Sequence, residues 1–196
     1  MNFLAHAYLS FKEPDIVIGN LISDFVKGKQ QYNYPISIQK GIKLHRAIDN
    51  FTDTHECTKI AKNYLKPAVG LYSGAFMDVV YDHFLALDSN HFILPSSLED
   101  FAQYIYSVLN TNADLLPNNF KVILPSMQER NWLYNYQFLS GVDNSFKSIA
   151  RRATYLSSSE ACFNLFKSNY HPLHLLYKQL FPQLRDFSNE YLQSLK

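Results

Sequence analysis

Three short stretches place carboxylates and histidines one helical turn apart among residues suited to burial: Gly19-Asn20-Leu21-Ile22-Ser23-Asp24, Leu44-His45-Arg46-Ala47-Ile48-Asp49-Asn50-Phe51-Thr52-Asp53, and Asp78-Val79-Val80-Tyr81-Asp82-His83-Phe84. A charge taken out of water must be paired or must bind a cation. At ~100° per residue, Asp78 and Asp82 stand ~40° apart on a helix whose other positions are mostly apolar or aromatic. The two carboxylates repel unless a cation sits between them or one stays protonated. The plainer alternative is that one aspartate caps a neighbouring helix while the other reaches solvent.

Ile38, Ile42, His45 and Asp49 follow one inclined row that begins as core and ends as imidazole plus carboxylate. Here the plainer alternative is a hydrogen-bonded core histidine with Asp49 as its partner. Ile16, Asn20 and Asp24 form a third row. Asp24 near a helix C-terminus meets an unfavourable macrodipole unless Lys27, Lys29 or a metal offsets it. Asn2 and His6 share a face of the first helix, and Arg46 offers a planar donor fork suited to phosphate oxygens. Aspartate and histidine without cysteine favour a divalent metal, with Mn²⁺ or Mg²⁺ suiting a carboxylate-rich set and Fe²⁺ or Zn²⁺ a histidine-rich one. Such a metal polarises a phosphoryl oxygen and acidifies bound water, so hydrolysis of a phosphate ester follows. The chain has no P-loop, G-x-S-x-G or G-x-G-x-x-G motif.

The elements that must position these residues read as helices, with no sustained strand-like alternation. Pro14 opens a helix closing near Gly28, Pro35 another to about Thr52, and Asp53 or Thr54 caps a segment toward Leu65. A long apolar helix runs from Leu71 to about Leu87, and further helices are expected near 97–110, 113–123, 127–139, 142–156, 159–169 and 172–195. The fold class expected is all-α, a single-domain helical bundle over residues 1–196. At 196 residues and 47% hydrophobic content the chain suits one sizeable core.

Eighteen Lys and Arg against 17 Asp and Glu give a formal charge of +1, no global field for nucleic acid or membrane. Two distant cysteines, Cys57 and Cys162, suggest buried free thiols and a cytoplasmic location. No stretch approaches the ~20 apolar residues of a membrane span.

Taken together, Asn2-Phe3-Leu4-Ala5-His6, Gly19-Asn20-Leu21 with Asp24-Phe25-Val26-Lys27-Gly28, Gly41-Ile42 with Leu44-His45-Arg46 and Ile48-Asp49, Phe51-Thr52-Asp53, and Asp78 with Asp82-His83-Phe84 resemble the bacterial acyl carrier protein phosphodiesterase family. The similarity extends to Trp132-Leu133 and Arg151-Arg152. The resemblance implies a helical fold akin to the HD phosphohydrolases, dependence on a divalent metal with Mn²⁺ favoured, and removal of the 4′-phosphopantetheine arm from holo-acyl carrier protein. The adjacent pair here reads Asp82-His83, the reverse of the usual His-Asp, so ligand roles do not copy across from ordinary HD enzymes.

On this reading Asp24, His45, Asp82 and His83 hold the metal, while Asp49, Asp78, Arg46 and His6 serve catalysis. Arg46 or Arg151 steadies the phosphoryl oxygens, and His6 or His83 protonates the leaving serine oxygen. Lys27, Lys29, Lys40, Lys43, Arg151 and Arg152 are expected to meet the acidic carrier. The alternatives are an HD-type hydrolase of nucleotides or other small phosphoesters, and a non-enzymatic carrier-binding module.

Overall fold

The computed structural model describes residues 1–195, and among them every regular element is helical. The α-helices are α1 (Phe3–Tyr8), α2 (Pro14–Ile22), α3 (Ile36–Thr54), α4 (Glu56–Val69), α5 (Ser73–Ala86), α6 (Ser97–Thr111), α7 (Asn118–Glu129), α8 (Trp132–Asn135), α9 (Leu139–Arg152), α10 (Glu160–Ser168) and α11 (Tyr170–Ser194). One contiguous apolar core joins them, from Leu4 on α1 through Phe76 and Phe84 on α5 to Leu192 on α11. No helix is long and apolar enough to cross a membrane among the described residues.

Several expected boundaries shift for local reasons. The helix opened by Pro14 ends at Ile22 instead of near Gly28, and a single 3₁₀ turn, Ser23–Phe25, carries Asp24 beyond it. Asp24 still sits just past the α2 C-terminus, and the His45 ring, not a lysine, is the group that offsets its charge. The helices expected at 113–123 and 127–139 become α7, which starts after Pro117, and the short α8. α7 runs straight through Pro125 because Phe120, Leu124 and Met127 anchor one face in the core. Asn131 then turns the chain with φ 42°, in the left-handed region that asparagine tolerates.

Two features bring α1, α2 and α3 together. Phe11 and Lys12 both adopt positive φ (52° and 60°), reversing the chain between α1 and α2, and Tyr104 Oη on α6 donates to the Lys12 carbonyl at 2.8 Å. α2 and α3 cross at glycines. A Cβ on Gly19 would stand 2.1 Å from the Ile38 carbonyl oxygen, and one on Gly41 2.5 Å from that of Ile16. Only hydrogen fits there, so the two backbones nearly touch and the following residue, Asn20, is pressed against α3.

Candidate metal centre

Asn20 is fully buried and organises two histidines at once. Its side-chain amide donates to the His6 carbonyl (2.9 Å) and to Ser10 Oγ (3.0 Å), which itself donates to the His6 carbonyl (2.8 Å). Its Oδ1 is thereby left as an acceptor, 2.8 Å from His6 Nδ1, so the His6 proton sits on Nδ1. The backbone carbonyl of the same residue accepts from His45 Nδ1 at 2.7 Å. Each imidazole is thus held through Nδ1, with Nε2 turned toward the carboxylates. This is how protein groups orient metal-binding histidines.

The two rings stack, with centroids 3.9 Å apart and planes 13° from parallel, and both Nε2 atoms converge on Asp49. Asp49 Oδ2 lies 3.1 Å from His45 Nε2, and Oδ1 3.2 Å from His6 Nε2. The His6 contact is too far out of line for a hydrogen bond, which leaves His6 Nε2 buried without a partner among the described residues. His6, His45 and Asp49 offer ligand atoms all within 4.8 Å of one another. Asp24, 79% exposed, adds Oδ1 at 3.2 Å from His45 Nε2.

Electrostatics mark the same atoms. Burial, with the His45 charge alongside, lowers His6 to about 4. Burial also pulls His45 down, but hydrogen bonds to Asp24 and Asp49 overcome it and raise that ring to about 9. Burial pushes Asp49 up, yet its two histidine partners hold it far below the usual carboxylate range. Asp24 is lowered by its bond to His45. A neutral His6 with a bare inward nitrogen, beside two ionised carboxylates, has the chemistry of a divalent-cation site with nitrogen and oxygen ligands.

The other residues singled out in the sequence sit elsewhere. Asp82, 0% exposed, accepts backbone N–H groups from Asn2 (3.2 Å), Leu4 (2.7 Å) and Ala5 (3.3 Å), so it caps the start of α1, the plainer of its two readings. Burial lifts its carboxyl to about 7 against those donors and the Met1 ammonium. His83 donates from Nδ1 to the Tyr136 carbonyl at 2.6 Å and meets Tyr170 Oη at 2.9 Å. Neither joins the His6–His45–Asp49 cluster, because α5 turns them toward α1 and α8 instead. Asp78 bonds the buried Met1 ammonium at 2.9 Å, and Asp49 lies 3.5 Å from it. Arg46 is engaged by Gln31 Oε1 at 2.9 Å. Lys40 and Lys43 lie ~140–160° around α3 from His45, and Lys40 lines a separate hollow with Lys12 and Leu192. Arg151 and Arg152 end α9 on the rim of a large cleft.

His6 was the residue most easily undervalued from sequence, since its partner Asn20 is distant and polar rather than charged. The spacing Gly19-Asn20 against Gly41…His45, two glycines each followed by a site residue, was the available signal.

Capping predicts a structural effect for Asp82. Asp82→Ala strands three N–H groups in a dry setting, at about 1–3 kcal/mol for an unsatisfied buried group. Chemical denaturation of metal-free protein should show a loss of about 3 kcal/mol or more, with Asp82→Asn losing less because its amide oxygen still accepts. Unchanged stability in Asp82→Ala would refute the capping role.

A family model described as acyl carrier protein phosphodiesterase matches residues 1–184. Among similar proteins, an acyl carrier protein phosphodiesterase of Yersinia pestis is 31% identical over 184 residues, 94% of this chain and 95% of the relative. Another so named, from Photorhabdus laumondii subsp. laumondii, is 28% identical over 186 residues, 95% of this chain and 94% of the relative. No solved structure matches.

Proposed function

The chain belongs to the acyl carrier protein phosphodiesterase family and is a phosphodiester hydrolase, and we propose that it strips the 4′-phosphopantetheine arm from holo-acyl carrier protein using a divalent ion held by His6, His45 and Asp49. The observation carrying the metal is the buried, unpartnered His6 Nε2 facing the Asp49 carboxylate and His45 Nε2. The family resemblance puts Mn²⁺ first, while two imidazoles to one carboxylate also suit Fe²⁺ or Zn²⁺, and the reaction is placed in the cytoplasm with the carrier.

A bound ion supplies Lewis-acid polarisation of the phosphoryl group and a more acidic water. The protein's own share is orientation. Asn20 holds both rings through Nδ1, and Asp49 spans the two Nε2 atoms. Asp24, exposed and ionised beside His45, is the carboxylate that a solvent molecule approaching the cluster meets first, and its oxygens align that water by accepting its hydrogen. Water attack on phosphorus breaks the bond to the serine oxygen and yields apo-carrier plus 4′-phosphopantetheine. His83 has no part in protonating that oxygen, since both its ring nitrogens are engaged away from the cluster. Lys27 and Arg46, on the segments flanking Asp24 and His45, are the basic residues best placed to meet an acidic carrier, ahead of Lys40 and Lys43.

Incubating holo-carrier with the protein and Mn²⁺ should lower the carrier's mass by that of the arm. Exhaustive chelation should abolish the change and Mn²⁺ restore it. Full turnover by verified metal-free protein would remove the metal centre. An intact carrier alongside cleavage of a nucleotide would favour the broader HD-type hydrolase, and carrier binding with no cleavage of either would favour a binding module.

A further inference from the structure

A cleft of about 1340 Å³ opens between α1, α8, α9 and α10. That exceeds the ~300–1,000 Å³ typical of small-ligand sites and leaves room for an extended chain. Asn2, Phe25 and Val79 line its wall, and each is adjacent in the chain to a residue at or beside the cluster: Met1, Asp24 and Asp78. Through these neighbours the chain links the cleft wall to the cluster's surroundings, although His6, His45 and Asp49 themselves do not line the cleft.

The lining is of two kinds. Phe3 and Trp132, with ring centroids 6.1 Å apart, and Phe25, backed edge-on by Phe120 at 5.2 Å, make an apolar wall. Facing it are donors. Tyr136 lines the cleft, is 4% exposed, and its hydroxyl has no hydrogen-bond partner among the described residues. Arg152 is tied only to the Ser148 carbonyl of its own helix, through Nε at 3.3 Å, and no carboxylate pairs with it among the described residues. Burial, with the nearby Asp82, pushes the Tyr136 hydroxyl well above its usual range, so it stays a protonated donor.

We infer that this cleft seats the pantetheine chain of the substrate, with the Tyr136 hydroxyl and the Arg152 guanidinium donating to its amide carbonyls and Phe3, Phe25 and Trp132 covering its apolar segments. The inference rests on the arm-removing function proposed above. The pantetheine part of the arm is uncharged, carries two amides and a gem-dimethyl group, and so asks for donors to its amide carbonyls beside an apolar wall. A donor with no protein acceptor is free to take a ligand carbonyl. A concave slot suits a thin chain better than a folded carrier domain.

Trp132 is the only tryptophan in the chain, so it reports on the cleft directly. Pantetheine, lacking phosphate, is titrated into the intact protein while Trp132 fluorescence and its indole N–H resonance are followed. A saturable response is expected. Tyr136→Phe should weaken it about fivefold and Arg152→Gln by a similar factor, each losing one hydrogen bond, with the circular dichroism of both variants unchanged. Arg152 is exposed, so its variant keeps the test independent of core packing. No saturable response in either signal, or equal affinity in wild type and both variants, would overturn the assignment. Pantetheine binding without arm loss from holo-carrier would refute the proposed activity and leave the cleft, whereas arm loss without a Trp132 response would refute the cleft and leave the activity.

Discussion

Replacing His45 by alanine is expected to lower kcat toward holo-carrier by about 10³-fold or more and to weaken Mn²⁺ binding by at least about 100-fold, because a ligand is lost along with the group that aligns Asp49. His45 is 5% exposed, its Nδ1 is fixed by the Asn20 carbonyl, and its Nε2 sits 3.1–3.2 Å from Asp49 and Asp24. Removing the ring also takes the stacking face from His6, so His6→Ala should produce a loss of the same order, and the double variant should be little worse than either single one. Metal content by elemental analysis and kcat from carrier mass change would be read together. Folded His45→Ala protein that binds Mn²⁺ normally and turns over at near wild-type rate would return His45 and Asp49 to a structural pairing.

A comparably large effect, through a different route, is expected for Gly19→Ala. The added methyl would stand 2.1 Å from the Ile38 carbonyl oxygen and 2.8 Å from the Gly41 Cα, all backbone atoms that cannot rotate aside. α2 must move off α3. Overpacking of this kind costs about 1–3 kcal/mol where side chains can adjust, and a backbone clash belongs at or above the upper end. The displacement also draws the Asn20 carbonyl away from His45 Nδ1, so metal affinity should fall even in molecules that remain folded. Thermal denaturation with and without Mn²⁺ separates the two consequences. Wild-type melting in the metal-free variant would show that the crossing is looser than the distances imply.

Helical class and most helix positions were legible in the chain because Pro14, Pro35, Ser96 and the long apolar runs are local signals. The errors fell where tertiary packing overrode a local cue, as at Pro125, which lies inside α7. In the site, the His45–Asp49 row was readable at i, i+4 spacing, and the fold sets Asp24 Oδ1 3.2 Å from His45 Nε2. Asp82 and Asp49 both stand one helical turn from another titratable residue on a largely apolar helix. What separates them is a chain reversal that brings the backbone of Asn2, Leu4 and Ala5 onto α5. A carboxylate's partners cannot be read from the helix that carries it when they come from the backbone of a distant segment. His83 shows the same dependence, its acceptor being the Tyr136 carbonyl of a distant segment.

Asn20 has a consequence for anyone who would redesign this centre. Because one residue holds one imidazole with its side chain and the other with its main chain, the two rings respond unequally to substitution there. Exchanging the amide at position 20 alters His6 directly and leaves the carbonyl that steers His45 in place, so variants there split the pair instead of shifting it as a unit. Selection for a different ion would be strongly epistatic. Changes at His6 would succeed only in company with position 20, while changes at His45 would have to accommodate an acceptor that no substitution at position 20 can remove.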